Sequence, residues 1–413
     1  MSTFRPFRGL RPRPELAARL AAPPYDVIDS QEARVLAAGN PHSFLHVTKP
    51  EIDLDPSIDL YDERVYDKAA ENFRAFREAG WLLQDERPCF YVYGQQMGAH
   101  RQVGIMGCAS ADDYFADVIR KHELTRPDKE RDRTRHVDVI GANAGPVFLT
   151  YRATEAIDRL AGKITAGPPA CDMRSEDGVR HTLWKVEDGE WIAQAGDAFR
   201  RVPVLYIADG HHRAASAARV REWRREQNPG HTGREEYNYF LAVAFPHDQM
   251  QILPYNRAVA DLAGLTASAF LERAWISFEI ADAPSPTPPG PRRFCVYLEG
   301  KWRLLTAREG TFPAGDPVRR LDCSILQENL LSPVLKIEDP RRDKRIHFVG
   351  GIRGTAELER LVDGGGHAVA FSLHPTSVED LMAVADAGLV MPPKSTWFEP
   401  KLRDGLIVRP LED

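Results

Sequence analysis

One run, VPVLYIADGHHRAASAARV at residues 202–220, constrains this chain more than any other. Its first part is apolar and β-branched, suited to a buried strand; it stops at Asp209-Gly210, and an alanine-rich helix begins at once. Such a turn favours anions. The first amides of a helix have no intrahelical partner, the macrodipole is positive there, and glycine lets a ligand approach the backbone. His211, His212 and Arg213 add donors at the same place. A plainer reading stands beside this one, in which Asp209 caps the helix and either histidine is a satisfied core residue. Against it, basic groups in a first helical turn oppose the dipole by about 0.3–1 kcal/mol each unless an anion or carboxylate sits nearby.

The rest of the chain has to build a scaffold for that turn. With 413 residues it is too long for one ordinary core and suggests two or three packed units. With 43% hydrophobic and 28% charged residues, it excludes wholesale disorder and fibrous architectures. No apolar run approaches the roughly 18 residues of a membrane span, and the basic N-terminus lacks a following apolar stretch, so a cytoplasmic protein with no membrane partner is expected. Five cysteines without CxxC spacing argue against a disulfide framework or a thiolate zinc site. A formal charge of -6 gives no footprint for a nucleic-acid backbone, so small anions are the expected partners.

The periodicities read as α+β with mixed sheets. Asp29-Ser30 starts a short helix, and Val65, Ala69, Phe73 and Phe76 recur at helical spacing up to Gly80. Residues 90–93 and 103–108 form a hairpin, 147–151 a further strand, and 183–191 a strand-turn segment. The Pro-rich tract APSPTPPGP at 283–291 is the expected linker, dividing a main domain (1–282) from a C-terminal α/β domain (292–413). Beyond it, a hairpin around Glu299-Gly300-Lys301 and a strand-helix-strand series over 346–373 are expected.

Two further segments carry candidate chemistry. In RKHELTRPDKERDRTRH (120–136), His122 and Glu123 precede a helix that Asp128 could cap; a carboxylate there could serve as general base or magnesium ligand. Lys129, Arg131, Arg133 and Arg135 follow, either holding a phosphate donor or forming a solvated, salt-bridged face. HExxH zinc spacing is absent. In MPPKSTWFEPKL (391–402), Lys394, Ser395 and Thr396 suit a phosphate clamp and equally a surface turn; this is not a GxxxxGK[ST] loop.

Together the ADGHHR turn, the HELT element, the PPKSTWFEPKL segment and the opening PPYDVI (23–28) resemble the bacterial and archaeal family catalogued as domain of unknown function 1015, over nearly the whole chain. The turn is also similar to the wider ParB and sulfiredoxin superfamily, which includes free-serine kinases of archaea. This resemblance implies a phosphate-binding strand-turn-helix unit with contacts from Asp209, Gly210, His211, His212 and Arg213, and a glutamate acting as base, matched here to Glu123. It further implies a kinase that makes O-phosphoserine from free L-serine, with diphosphate or ATP/ADP as donor. His122, Glu123, Asp209 and His212 would be catalytic, Lys129, Arg131, Arg133, Lys394, Ser395 and Thr396 would bind phosphate, and Asp209 or Glu123 would hold Mg2+. A regulatory protein that binds a nucleotide or phosphate ligand without turnover is the alternative, and a sulfiredoxin-like activity is disfavoured because no cysteine occupies the turn.

Overall fold

The computed structural model describes residues 1–412. Two compact units emerge: residues 1–250 together with 400–413, and residues 251–399. The expected linker at 283–291 is not their boundary. It joins the strands Phe278–Asp282 and Arg293–Leu298, which belong to one sheet of the second unit. Prolines cannot donate to a ladder, so the tract is excluded from the strands themselves, but nothing in that chemistry prevents it from connecting two strands within a unit.

The first unit is built on a mixed nine-stranded sheet. The expected hairpin is present and longer than its apolar cores, Phe90–Met97 pairing antiparallel with His100–Ser110. Leu205–Asp209 lies between Val147–Tyr151, antiparallel to it, and the short Ile119–Arg120, parallel to it. That placement buries Leu205, Ile207 and Ala208 on both faces, as their continuous apolar run requires. Tyr239–Pro246 runs parallel to Val147–Tyr151 and joins it to the hairpin.

Helices of this unit follow their sequence signals closely. Glu63–Glu78 buries Val65, Ala69, Phe73 and Phe76, and Ser30–Ala37 begins with a capping box between Asp29 and Glu32. Two expectations shift. The segment 183–191 is strand only to Val186; Asp188 then caps a new helix, Gly189–Arg200, so Trp191 is helical. The helix Pro127–Ile140 starts on its proline with Arg126 as N-cap, and Asp128 sits inside the first turn, ion-paired to Arg126, rather than capping.

Residues 400–412 return to the first unit by backbone hydrogen bonds: Val408 exchanges them with Leu10, and Asp404 with Ala22. The second unit carries a six-stranded antiparallel sheet. Its hairpin turns on Glu299 and Gly300, both at positive φ as a two-residue hairpin loop demands. Among the described residues no helix is long and apolar enough to cross a membrane.

Candidate functional site

The strand Leu205–Asp209 ends in a register shift between Ile207 and Asp209, which re-aims the last side chain. Gly210 follows with φ 89° and ψ 33° and is itself the N-cap of the helix His211–Gln227. A Cβ there would meet nothing nearer than 3.6 Å, so it is the left-handed backbone and not crowding that calls for glycine. Asp209 is therefore not the cap. Its Oδ1 accepts from the Gly210 amide (2.8 Å) and its Oδ2 from Lys401 Nζ (2.9 Å). Burial would raise this carboxyl, but Lys401 and then Arg213 hold it well below the usual carboxylate range.

The two histidines have a different job from the one their residue type suggested. His211 Nε2 accepts from the backbone amide of His122 (3.4 Å), and His212 Nε2 accepts from that of Arg126 (3.1 Å). Both imidazoles thus pin the loop that carries Glu123. Burial, reinforced for His211 by neighbouring His122, lowers both their pKa values, so at neutral pH they add no positive charge to the turn. With Nε2 accepting, the proton of neutral His211 sits on Nδ1, which faces Glu123 Oε2 at 3.9 Å. Glu123 is about half exposed, at 53%.

His122 is buried and packs edge-on against the His211 ring, with centroids 4.4 Å apart. Burial lowers its pKa to about 4. It bonds to the backbone of Ile207, while its Nδ1 has no partner among the described residues. Ligand atoms of His122, Glu123 and His211 lie within 4.8 Å of one another. For a metal this set is half prepared: the bare His122 Nδ1 suits an ion, whereas His211 presents a proton on Nδ1 and suits a hydrogen bond to the carboxylate.

Arg213 leaves the first helical turn in another direction. Its Nη1 donates to the Pro146 carbonyl (2.8 Å) and its Nη2 to Asp26 (3.1 Å), and Asp404 Oδ1 lies 4.0 Å from Nη1. Tyr25 sits between two guanidinium groups, Arg133 at 4.4 Å and Arg213 at 5.8 Å from its ring centre. These residues line a cavity of about 40 Å³ with Thr48 and Asn143. Two of these lining residues keep a buried polar atom without a hydrogen-bond partner among the described residues, Arg213 at Nε and Asp404 at Oδ1. Each such orphan costs about 1–3 kcal/mol when nothing fills the gap.

The remaining candidates scatter. Lys129 Nζ stands 5.5 Å from the centre of the Tyr61 ring, Arg131 is exposed, and Arg133 is paired with Asp132 and belongs to the cavity. Lys394, Ser395 and Thr396 lie in the second unit. There the Ser395 hydroxyl donates to the Pro392 carbonyl (2.6 Å) and lies 3.1 Å from Cys323 Sγ. Lys394 is exposed at φ 57°, with Nζ 5.6 Å from the centre of the Tyr255 ring. The lysine that meets the turn is Lys401, seven residues further along the same motif. Sequence reasoning also passed over Asp26 and Asp404. The tyrosine-aspartate of PPYDVI was visible as a motif, but an isolated Arg403-Asp404 pair offers no local signal at all.

Several solved structures are similar in outline at low scores. A free serine kinase in complex with AMP has 13% identity and a TM-score of 0.36, covering 71% of this chain and 86% of its own. A conserved hypothetical protein from Pyrococcus furiosus has 14% and 0.35, covering 73% and 93%. SbnI with C-terminal truncation from Staphylococcus aureus has 10% and 0.39, covering 72% and 85%. No curated protein matches. Residues 4–324 match the family described as protein of unknown function (DUF1015), and the chain belongs to that family.

Proposed function

We propose that this protein is a phosphotransferase that moves a phosphoryl group from diphosphate or a nucleotide, ATP or ADP, to the hydroxyl of free L-serine. The observation that carries the reading is the clamp between the turn and the loop: His211 and His212 hold the Glu123 loop by its backbone against the strand-glycine-helix turn. A phosphate-sized anion at the first-turn amides would lie beside a carboxylate placed to act as base. The motif resemblance points to the same chemistry.

Within this proposal each side chain has a defined task. Glu123 accepts the proton of the acceptor hydroxyl, and the Nδ1–H of His211, 3.9 Å from Oε2, faces that carboxylate. His211 and His212 are positioning residues. Lys401 neutralises charge on the transferring phosphoryl in the role first expected of Lys394, since its ammonium already reaches the turn through Asp209. Magnesium would be held by Asp209, whose hydrogen bonds to Gly210 and Lys401 leave further lone pairs on the carboxylate, and would neutralise phosphate oxygens of the donor.

The test is direct. Purified protein is incubated with L-serine, magnesium and diphosphate, ATP or ADP in turn, and O-phosphoserine is measured by mass spectrometry. Product with at least one donor is the expected result; none with any of them removes the proposal.

A further inference from the structure

The cavity behind Arg213 combines features that a packed interior does not ordinarily leave unresolved. Asp404 is 1% exposed, and one of its carboxylate oxygens takes a backbone hydrogen bond at Tyr25. The other, Oδ1, faces Arg213 Nη1 at 4.0 Å but is an acceptor without a hydrogen-bond partner among the described residues, and it lies against the chain so closely that a Cβ on Gly145 would fall 1.9 Å from it. Arg213, which lines the same cavity, has at Nε a donor without a hydrogen-bond partner among the described residues. Arg133 contributes a second guanidinium, of which three donor contacts, two to Asp132 and one to the Thr48 carbonyl, are accounted for out of five N–H groups.

Asp404 and Arg213 face each other at 4.0 Å, yet each keeps a buried polar atom without a hydrogen-bond partner, an acceptor on one and a donor on the other, and a small ligand that carries both an ammonium and a carboxylate would complete both. We infer that this cavity binds a small zwitterionic amino acid, its ammonium on Asp404 Oδ1 and its carboxylate on Arg213 Nε and Arg133. The volume of about 40 Å³, room for about three waters at the roughly 10–15 Å³ each needs, restricts the cavity to the smallest ligands and excludes a nucleotide. Burial pushes the Asp404 carboxyl up to about 6, so it is still ionised at neutral pH and an ammonium would stabilise that form. Asp26 ties Arg213 down from the solvent side, which keeps the guanidinium in place when the cavity is empty.

As an acceptor pocket this inference rests on the serine phosphotransferase reading; as a binding site it is tested without any phosphoryl donor. Full-length protein is titrated calorimetrically with L-serine, L-alanine, N-acetylserine and ethanolamine. The two zwitterions are expected to bind. N-acetylserine, which lacks the ammonium, and ethanolamine, which lacks the carboxylate, are expected to bind at least about tenfold more weakly. Asp404→Asn, which keeps the side-chain shape, should weaken serine by a similar factor and leave ADP affinity unchanged. Four ligands binding alike, or no zwitterion binding to the wild-type protein, would mean that the cavity holds water only and would overturn the inference. Phosphoserine formation with an unchanged KM for serine in folded Asp404→Asn would sink the pocket and spare the kinase. Zwitterion binding without phosphoserine would do the reverse.

Discussion

Two segments of this chain carry a basic residue and hydroxyl or imidazole groups beside a sharp bend, Arg213 with two histidines in one and Lys394 with Ser395 and Thr396 in the other, and the fold treats them in opposite ways. At Asp209-Gly210 the polar groups are buried yet incompletely matched, with bare atoms on His122, Arg213 and Asp404. At Lys394-Ser395-Thr396 the serine hydroxyl is bonded to a carbonyl two prolines away, and the lysine is exposed. A polar motif becomes a candidate site when burial leaves its hydrogen-bonding capacity unspent, and becomes a turn when the turn itself consumes that capacity.

The largest effect should come from Glu123→Gln. If the first segment is the reaction centre, turnover falls by about 10²–10⁴ while calorimetry shows donor binding retained. Equal loss of both would reassign Glu123 from base to donor ligand.

Next in size, the two lysines separate the segments. Lys401→Met removes the ammonium on Asp209 and should lower kcat/KM for the donor by about tenfold or more, whereas Lys394→Met should stay within about twofold. Steady-state kinetics with the donor varied decides it; the reverse order would move the phosphate site to the second unit.

Acid should also split the units. His122, His136 and His181 are lowered by burial to about 4, 4 and 3. Their folded values lie below the unfolded one, so the unfolded chain takes the proton first, and first-unit stability falls as pH drops below about 6.5. The slope approaches about 1.4 kcal/mol per pH unit for each group. Asp404, raised to about 6, opposes part of this. In the second unit, burial raises Asp322 to about 7. That carboxyl binds a proton more readily folded than unfolded, so its contribution grows as pH falls from about 7 toward 4. Region-resolved hydrogen exchange from pH 7 to about 5 should show protection lost first in the 1–250 unit. Uniform loss would contradict the assignment.

Smallest of all, Ser395→Ala should cost about 1–2 kcal/mol in urea unfolding with activity intact, because it deletes the buried contacts of that hydroxyl with the Pro392 carbonyl and Cys323 Sγ. A loss of activity without a loss of stability would restore the segment as a site.

Much of the scaffold was legible because its signals are local. The apolar spacing of Val65, Ala69, Phe73 and Phe76, the Asp29 cap and the Glu299-Gly300 turn act over a few residues, and the structure realises each of them. The division into units was not legible, because a proline tract reports only that it is not a strand. Which sheet its flanking strands join is set by pairings such as Val296 with Phe371, far away in sequence.

The turn shows the same limit at the scale of single atoms. Sequence by itself determined that a buried strand would break at Gly210 into an alanine-rich helix, since strand burial, left-handed glycine and helix propensity are properties of neighbouring residues. Only tertiary structure decided that His211 and His212 would accept from the Glu123 loop and stay neutral, that Lys401 and not Lys394 would meet Asp209, and that Asp404 would face Arg213. Each of those outcomes depends on a hydrogen bond or a charge placed by a segment 86 or more residues away, and no local pattern encodes such a contact.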